Sequence, residues 1–205
     1  MRDDFEAVRQ AIIDDESNAL MQERGWRPLF TASTSARIVL IGQAPGIKAQ
    51  TSGVPWDDLS GKRLMDWLGV TAEQFRDPSL FALLPMDFYY PGKGPSGDLP
   101  PRKGVAQRWH PPLFELMSNV QLTLLVGRYA QTHYIPSARR VTLTETVRDY
   151  RRFGPEFFPL VHPSPLNFRW HTSNPWFVTD VLPDLRKAVR DALRGTEADH
   201  SRQER

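Results

Sequence analysis

The chain has 205 residues, of which 40% are hydrophobic and 24% charged, with a formal net charge of +2 and no cysteine. The lack of cysteine excludes disulfides, cysteine nucleophiles, and zinc or iron–sulfur sites held by thiolates. No run approaches the roughly 20 apolar residues that span a bilayer, and no early segment pairs a basic start with an apolar core, as a secretion signal would. We therefore expect a cytoplasmic protein with no membrane partner, folded as a single domain over residues 1–205 with a disordered tail at about 195–205.

Hydrophobic patterning predicts alternating helices and strands along the chain. Helices are predicted over about 3–24, 60–69, 104–119, 144–151 and 174–194, with Ser60 and Thr144 as N-caps and Pro111 or Pro112 opening a second helical piece. Short apolar runs predict buried strands at about 37–42, 81–84, 121–126 and 157–161. Strands separated by helical segments form parallel sheets that are covered on both faces. The sequence therefore predicts an α/β fold, a three-layer α/β/α arrangement with a central, mostly parallel four-stranded sheet.

Three of the predicted strands end in unusual loops, over residues 42–58, 85–104 and 162–173. Ligands of open α/β sheets bind at the carboxyl ends of the strands, so we expect the three loops to converge on one site. The last loop begins at His162 and contains Pro163 and Pro165, and proline restricts both its own φ and the preceding residue. The loop therefore presents His162, Ser164 and Leu166 on a stiff segment.

Aromatic and basic residues near these loops have two interpretations each. Trp56 lies in a Gly- and Pro-containing segment, where it either packs in the core or offers a stacking surface. Four basic residues either contact phosphates or belong to an ordinary solvated surface. They are Lys93, Arg102, Lys103 and Arg108. His110, His133 and His171 have no metal-ligand spacing, so we expect them to be structural or surface residues and expect no metal site.

Two motifs of the chain resemble those of the uracil-DNA glycosylase superfamily. The first runs from Gly42-Gln43-Ala44-Pro45-Gly46 into Ala49-Gln50-Thr51-Ser52-Gly53-Val54-Pro55-Trp56, and the second is His162-Pro163-Ser164-Pro165-Leu166-Asn167. In order and spacing, the similarity covers about residues 37–190. It is strongest to the single-strand-selective monofunctional uracil-DNA glycosylase branch, whose first motif also joins a Gly-x-x-Pro-Gly turn to a Gln-Thr-Gly-Val-Pro-aromatic segment. The missing cysteines separate the chain from the iron–sulfur branches.

The resemblance implies roles for the matched residues. His162 would donate to a carbonyl oxygen of the departing uracil, Trp56 would stack on the base where the family usually has Phe, and Leu166 would fill the gap left by a flipped nucleotide. The expected substrate-binding residues are Gln43, Ala44, Gly46, Trp56, Met86 and Asn167. The expected DNA-binding residues are Ser164, which matches a phosphate contact, together with Leu166, Arg169, His171 and Lys93.

The chain departs from the family pattern at two positions. Ala44 stands where the superfamily commonly has an acidic or amide residue that positions the attacking water. Asp87 is the best substitute, with Asp57 and Asp58 as second choices, and His162 and Asp87 are the expected catalytic residues. Asp87 has three interpretations, as a water positioner, as a reader of the base, or as a turn or cap carboxylate with neither role. Related enzymes read the uracil edge with an Asn in the segment that here contains Met86 and Asp87. A carboxylate at 87 would accept from uracil N3–H but could not donate to O4.

The resemblance implies a DNA glycosylase without a cofactor that flips uracil or a related damaged base out of single- or double-stranded DNA and hydrolyses its N-glycosidic bond in base excision repair. Nothing in the sequence suggests an oligomer, so we expect a monomer. Two alternatives remain open. A DNA-damage binding module on the same fold would be catalytically weak because of Ala44. An enzyme acting on a small nucleoside or nucleotide would use the same pocket without DNA.

Overall fold

The computed structural model describes residues 4–95 and 97–203, with the backbone alone over 195–203. In chain order, the main elements are α1 (Asp4–Asp14), α2 (Ala19–Glu23), β1 (Ile38–Gly42), α3 (Ile47–Ser52), α4 (Leu59–Leu68), α5 (Ala72–Arg76), β2 (Phe81–Pro85), β3 (Lys93–Gly94), β4 (Gly97–Asp98), α6 (Val105–Glu115), β5 (Leu122–Val126), α7 (Arg128–Tyr134), α8 (Leu143–Arg148), β6 (Phe157–Leu160), α9 (Phe168–Ser173) and α10 (Leu182–Gln203). Short 3₁₀ helices lie at Glu16–Asn18, Pro136–Arg140, Tyr150–Phe153 and Pro165–Asn167, and a π-helical segment at Phe177–Val181. In this part of the chain, no helix is both long and apolar enough to cross a bilayer.

The central sheet has four parallel strands in the order β2-β1-β5-β6. The register pairs Leu40 of β1 with Leu83 of β2 on one side and with Leu124 of β5 on the other. The chain leaves β1 for one edge of the sheet and later returns to β5 on the opposite side of β1. A reversal of this kind opens a crevice at the carboxyl ends of the strands, which is where ligands bind in such sheets.

Both faces of the sheet are covered, because alternate residues of each strand point to opposite layers. Ile38 and Leu40 of β1 belong to a core formed with α4, α5, α8 and α10. Val39 and Ile41 belong to a second core formed with α1, α2, α6 and α7. The predicted three-layer α/β/α fold with a parallel four-stranded sheet is therefore confirmed.

Several helix boundaries differ from the sequence prediction, for local reasons. The first predicted helix breaks at Asp15, whose carboxylate accepts the backbone N–H of Ser17 and so starts a 3₁₀ turn. Asp58, and not Ser60, caps α4 by accepting the N–H of Gly61 at 2.8 Å. Thr142, and not Thr144, caps α8 in a capping box with Glu145. In each case, a side-chain oxygen of the cap accepts a backbone N–H of the first turn, which has no partner within the helix.

Two further differences concern α6 and α10. The structure has one helix running through Pro111 and Pro112, where the sequence predicted the start of a second piece. The last helix was predicted from 174, but α10 begins at Leu182 after the π-helical segment, and its backbone continues to Gln203, past the predicted end near 194. The tail predicted at about 195–205 includes residues 204 and 205, which lie outside the described residues, so its disorder stays a prediction.

Candidate active site

A cavity of about 620 Å³ opens at the carboxyl ends of β1, β2 and β6. We call it the strand-end cavity. Most of the residues expected from the two motifs line it: Gln43, Ala44, Gly46, Trp56, His162, Ser164, Leu166 and Asn167. The first motif follows β1 and the second follows β6, two strands that are separated in the sheet by β5. The loops therefore converge as the strand-end argument predicts.

Trp56 and His162 form a stacked pair inside this cavity. Their ring centroids are 5.9 Å apart, and their planes are inclined by 30°. The indole is contributed by the loop before α4 and the imidazole by the loop after β6. The two motifs thus meet through their aromatic side chains, although more than a hundred residues separate them in sequence.

The loop that carries Trp56 has an unusual backbone. Trp56 has a φ of 57°, in the left-handed region that bulky residues rarely adopt. Gly61, in the first turn of α4, permits this conformation, because a Cβ at 61 would lie 1.9 Å from the carbonyl oxygen of Trp56. Strained backbone of this kind typically occurs at functional sites. Neither Gly61 nor the φ of Trp56 has a signal in the sequence, since both depend on how closely the loop approaches the helix.

The protonation state of His162 follows from its surroundings. Nδ1 accepts a hydrogen bond from the backbone N–H of Ser164 at 3.2 Å, so the proton of the neutral ring resides on Nε2. Burial lowers the pKa of His162 below its ordinary value, and the negative charge of Asp58 opposes that shift in part. A neutral imidazole with a donating Nε2–H is therefore the form expected near neutral pH.

Hydrogen bonds hold the second motif in shape. The side-chain amide of Asn167 donates to the carbonyl oxygen of His162 at 2.8 Å, and Arg63 of α4 donates to the carbonyl oxygen of Ser164 at 3.2 Å. The hydroxyl of Ser164 accepts the N–H of Leu166, which starts the following 3₁₀ turn. Leu166 projects from this braced segment with 86% of its surface exposed, although it also lines the cavity.

The first motif is anchored at Gln43. Its carbonyl oxygen accepts the N–H of Asp87 at 3.1 Å, and its side chain donates to the carbonyl oxygen of Leu99 at 3.1 Å. Gly46 follows at the start of α3, where a Cβ would approach a carboxylate oxygen of Asp98 to 3.9 Å. The turn therefore ties the end of β1 to the loop that follows β2.

Two carboxylates line the cavity, Asp58 and Asp98. One oxygen of Asp58 caps α4, while the other accepts no hydrogen bond from the described residues. Asp98, on β4, lies 3.6 Å from the ammonium group of Lys93 and 3.4 Å from the hydroxyl of Tyr90. Sequence reasoning named Asp58 only as a second choice and missed Asp98. The available signal for Asp98 was its place in a Gly- and Pro-rich loop at a strand end.

The structure does not bring Asp87 to the cavity, which corrects the sequence interpretation. Its side chain is fully buried, and both oxygens are occupied by Arg102: Nε donates to Oδ2 and Nη2 to Oδ1, each at 2.8 Å. The backbone amides of Arg102 and Tyr89 donate to the same carboxylate. A carboxylate held by four donors beneath the site has no free acceptor for a water or a base.

Other expected residues also lie away from the strand-end cavity. Met86 lines a neighbouring groove, and its backbone N–H donates to Gly42. His171 packs with its ring centroid 5.4 Å from that of Trp67, inside an aromatic cluster, and its Nε2 is buried. Lys93 and Arg169 are exposed at the surface, and Lys93 pairs with Asp98. The structure therefore does not place Met86 or His171 as the sequence analysis expected.

Within the part of the chain that the structure describes, no group of three or more His, Asp or Glu side chains is arranged to hold a metal ion.

Comparisons with known proteins identify the family of the chain. A solved structure similar to this chain is that of a provisionally assigned uracil DNA glycosylase from Methanosarcina acetivorans, at 16% identity and a TM-score of 0.41, covering 78% of this chain and 94% of that one. The model of the Uracil DNA glycosylase superfamily matches residues 29–186, which include both motifs and all the strands of the central sheet. The chain belongs to the uracil DNA glycosylase superfamily.

Proposed function

We propose that the protein is a monofunctional DNA glycosylase that extrudes uracil, or a closely related base, from DNA and hydrolyses its N-glycosidic bond. Membership of the superfamily supports glycosylase activity in general. The observation that carries the finer assignment is the stacked pair of Trp56 and His162 in one cavity, with the exposed Leu166 at its rim. An extruded base needs a stacking surface and edge contacts in a pocket of this kind.

His162 stabilises the leaving base in this proposal. Breaking the bond between C1′ and the base nitrogen leaves both electrons on the base, so negative charge develops on its carbonyl oxygens. A donor aimed at that charge contributes more in the transition state than in the ground state. The Nε2–H of neutral His162 is such a donor, because Nδ1 is already occupied by the N–H of Ser164.

Asp58 assists the attack of water on C1′. Its Oδ2 is not engaged by the described residues, and Asp58 lies near enough to His162 to influence its pKa. A carboxylate here takes a proton from the attacking water while the new C1′–O bond forms, and its charge favours the cation-like sugar. Ala44 has no group for this task. Asp98 is the second carboxylate of the cavity, but Lys93 lies 3.6 Å from its Oδ1.

The rim of the cavity supports DNA binding. Leu166 is apolar and 86% exposed on a segment held by Asn167 and Arg63, as a side chain that fills the space of an extruded nucleotide would be. Unstacking a base costs a few kcal/mol, and an inserted apolar side chain offsets part of that cost. Ser164 and the exposed Arg169 flank it as candidate phosphate contacts.

The test is cleavage of a uracil-containing oligonucleotide, single- and double-stranded, followed by alkali. Strand scission supports the glycosylase, and His162→Ala is expected to lower the single-turnover rate by at least ~10²-fold through loss of the transition-state donor. Tight binding without scission would identify a damage-binding module instead. Release of base from free nucleosides alone would identify a nucleoside hydrolase.

A further inference from the structure

A second cavity lies beside the strand-end cavity, with a volume of about 810 Å³. Its walls come from the loop after β4, with Leu99, Arg102 and Lys103, and from α7 with the 3₁₀ helix behind it, with Tyr129, His133 and Arg139. We call it the basic groove. The residues that line it include cationic side chains but no Asp or Glu, so the groove is suited to an anionic ligand.

The positive charge of the groove comes mainly from Lys103 and Arg139. Arg102 is neutralised by Asp87, and burial together with the charge of Arg139 lowers the pKa of His133, which is then uncharged near neutral pH. Lys103 and Arg139 are exposed and form no ion pair with any other described residue. Arg139 is held in place because its Nε donates to the carbonyl oxygen of Thr132 at 2.9 Å.

A smaller cavity of about 260 Å³ has lining residues in common with both the groove and the candidate active site. It shares Gln43, His162 and Asn167 with the strand-end cavity and shares Tyr129 with the basic groove. Tyr129 is 41% exposed and lines both the smaller cavity and the groove. The groove, with an accessible phenol and two unneutralised cations, therefore adjoins the side of the molecule that carries Trp56 and His162.

We propose that the basic groove holds the unpaired stretch of DNA adjoining the extruded nucleotide, with phosphates at Lys103 and Arg139 and a base stacked on Tyr129. This inference rests on the proposed function of the strand-end cavity. Cationic grooves with an aromatic platform are the usual means of holding single strands without sequence preference. A paired duplex keeps its bases stacked inside the helix, out of reach of Tyr129, so the groove selects a single strand.

The charge test compares two double variants that change the net charge equally. Lys103→Glu/Arg139→Glu removes both groove cations, while Arg140→Glu/Arg152→Glu alters exposed residues that do not line the groove. Binding of a single strand of about 15 nucleotides, followed by fluorescence anisotropy, should weaken by about tenfold or more in the first variant. Loss of two phosphate contacts should also reduce the slope of log K against log salt by about 1.4. The second variant should bind like the wild type.

The stacking test uses Tyr129→Leu, which retains an apolar side chain and should weaken the same complex about fivefold or more. At saturating single-stranded substrate, the single-turnover rate of the groove variants should equal that of the wild type, because Lys103, Tyr129 and Arg139 do not line the strand-end cavity. If the groove double variant and its control bind the long strand equally, the proposal is overturned. It also falls if the groove double variant loses as much affinity for a duplex as for the single strand. If the wild type cleaves nothing but the groove variants still lose single-strand affinity, the groove stands and the glycosylase assignment falls.

Discussion

The indole of Trp56 occupies the space that Gly42 leaves open at the end of β1. A Cβ at 42 would lie 2.8 Å from Cζ2 of the indole, closer than real contacts allow. The strand that begins the first motif and the aromatic residue that ends it are therefore fitted to each other. The position of the ring beside His162 depends on this fit, because the indole has the imidazole on one side and the strand end on another.

Gly42→Ala should consequently displace the Trp56 ring. Overpacking of this kind typically costs about 1–3 kcal/mol in the free energy of unfolding, and cleavage should fall because the stacking surface moves. Gly154→Ala is the matched control, since its Cβ would meet only the carbonyl oxygen of Arg151 at 3.8 Å, an ordinary contact. Denaturant unfolding and single-turnover cleavage measure the two effects. Equal stability and activity in the two variants would contradict the fit.

Asp58→Asn tests the proposed water-positioning carboxylate without removing the helix cap, because Asn is as good an N-cap as Asp. We expect a loss of at least ~10²-fold in the single-turnover rate, as for removal of a catalytic base, with little change in stability. Asp57→Asn is the matched neighbour: Asp57 pairs with Lys48 at 3.7 Å and does not line the cavity. A fully active Asp58→Asn enzyme would remove Asp58 from the mechanism and turn attention to Asp98.

The buried pair of Asp87 and Arg102 should be structural. Arg102→Met leaves the fully buried carboxylate without its partner, which typically costs about 3–5 kcal/mol. Arg151→Met breaks the exposed pair with Asp184 and should cost less than about 1 kcal/mol. Urea unfolding of both variants measures the difference. Asp87→Asn, assayed below its unfolding transition, should keep the wild-type cleavage rate. A large loss of rate in a folded Asp87→Asn protein would restore a catalytic role for Asp87.

Stability should depend on pH through His110. Burial lowers the pKa of His110 from 6.5 to about 4, and the neutral ring bonds to the carbonyl oxygen of Pro85 and the hydroxyl of Tyr134. Because the folded pKa is the lower one, the unfolded chain binds more protons between these values, so stability is lost as the pH falls from about 6.5 to about 4. The contribution approaches about 1 kcal/mol per pH unit.

His110→Gln should therefore show a shallower loss of stability over the same pH range, measured as the free energy of unfolding in urea at several pH values. His133, His162 and His171 also have lowered pKa values and keep their contributions in the variant. Identical slopes for the variant and the wild type would show that His110 is not the group responsible.

The positions of the central strands and the convergence of the two motifs could be predicted from the sequence. Which carboxylates line the cavity could not. Apolar runs located the four strands of the central sheet to within about a residue, because buried parallel strands leave few other interpretations. The short strands β3 and β4 were predicted as loop. The convergence of the strand-end loops was predicted, and the structure brings the rings of Trp56 and His162 together there. Asp87 was misread because its partner, Arg102, meets it only after a loop folds back.

The strand order and the conformation of Trp56 were equally out of reach of sequence reasoning. Parallel pairing can be inferred from alternation with helices, but several orders satisfy it. The positive φ of Trp56 requires the bare backbone of Gly61 opposite its carbonyl oxygen, which is a tertiary contact. The branch of the superfamily nearest to this chain stays a prediction.

Arg102 also forms hydrogen bonds outside its pair with Asp87. Its Nη1 donates to Oδ1 of Asn18 at 2.8 Å and to the carbonyl oxygen of Ser17 at 3.1 Å. These residues precede the family match, which starts at residue 29. At the other end, Val189 and Ala192 complete a core beyond residue 186. A fragment restricted to residues 29–186 would expose apolar surface at both ends and would lose the hydrogen bonds from Arg102 to Asn18 and Ser17. We therefore expect the segment that folds cooperatively to be longer than the segment that matches the family model.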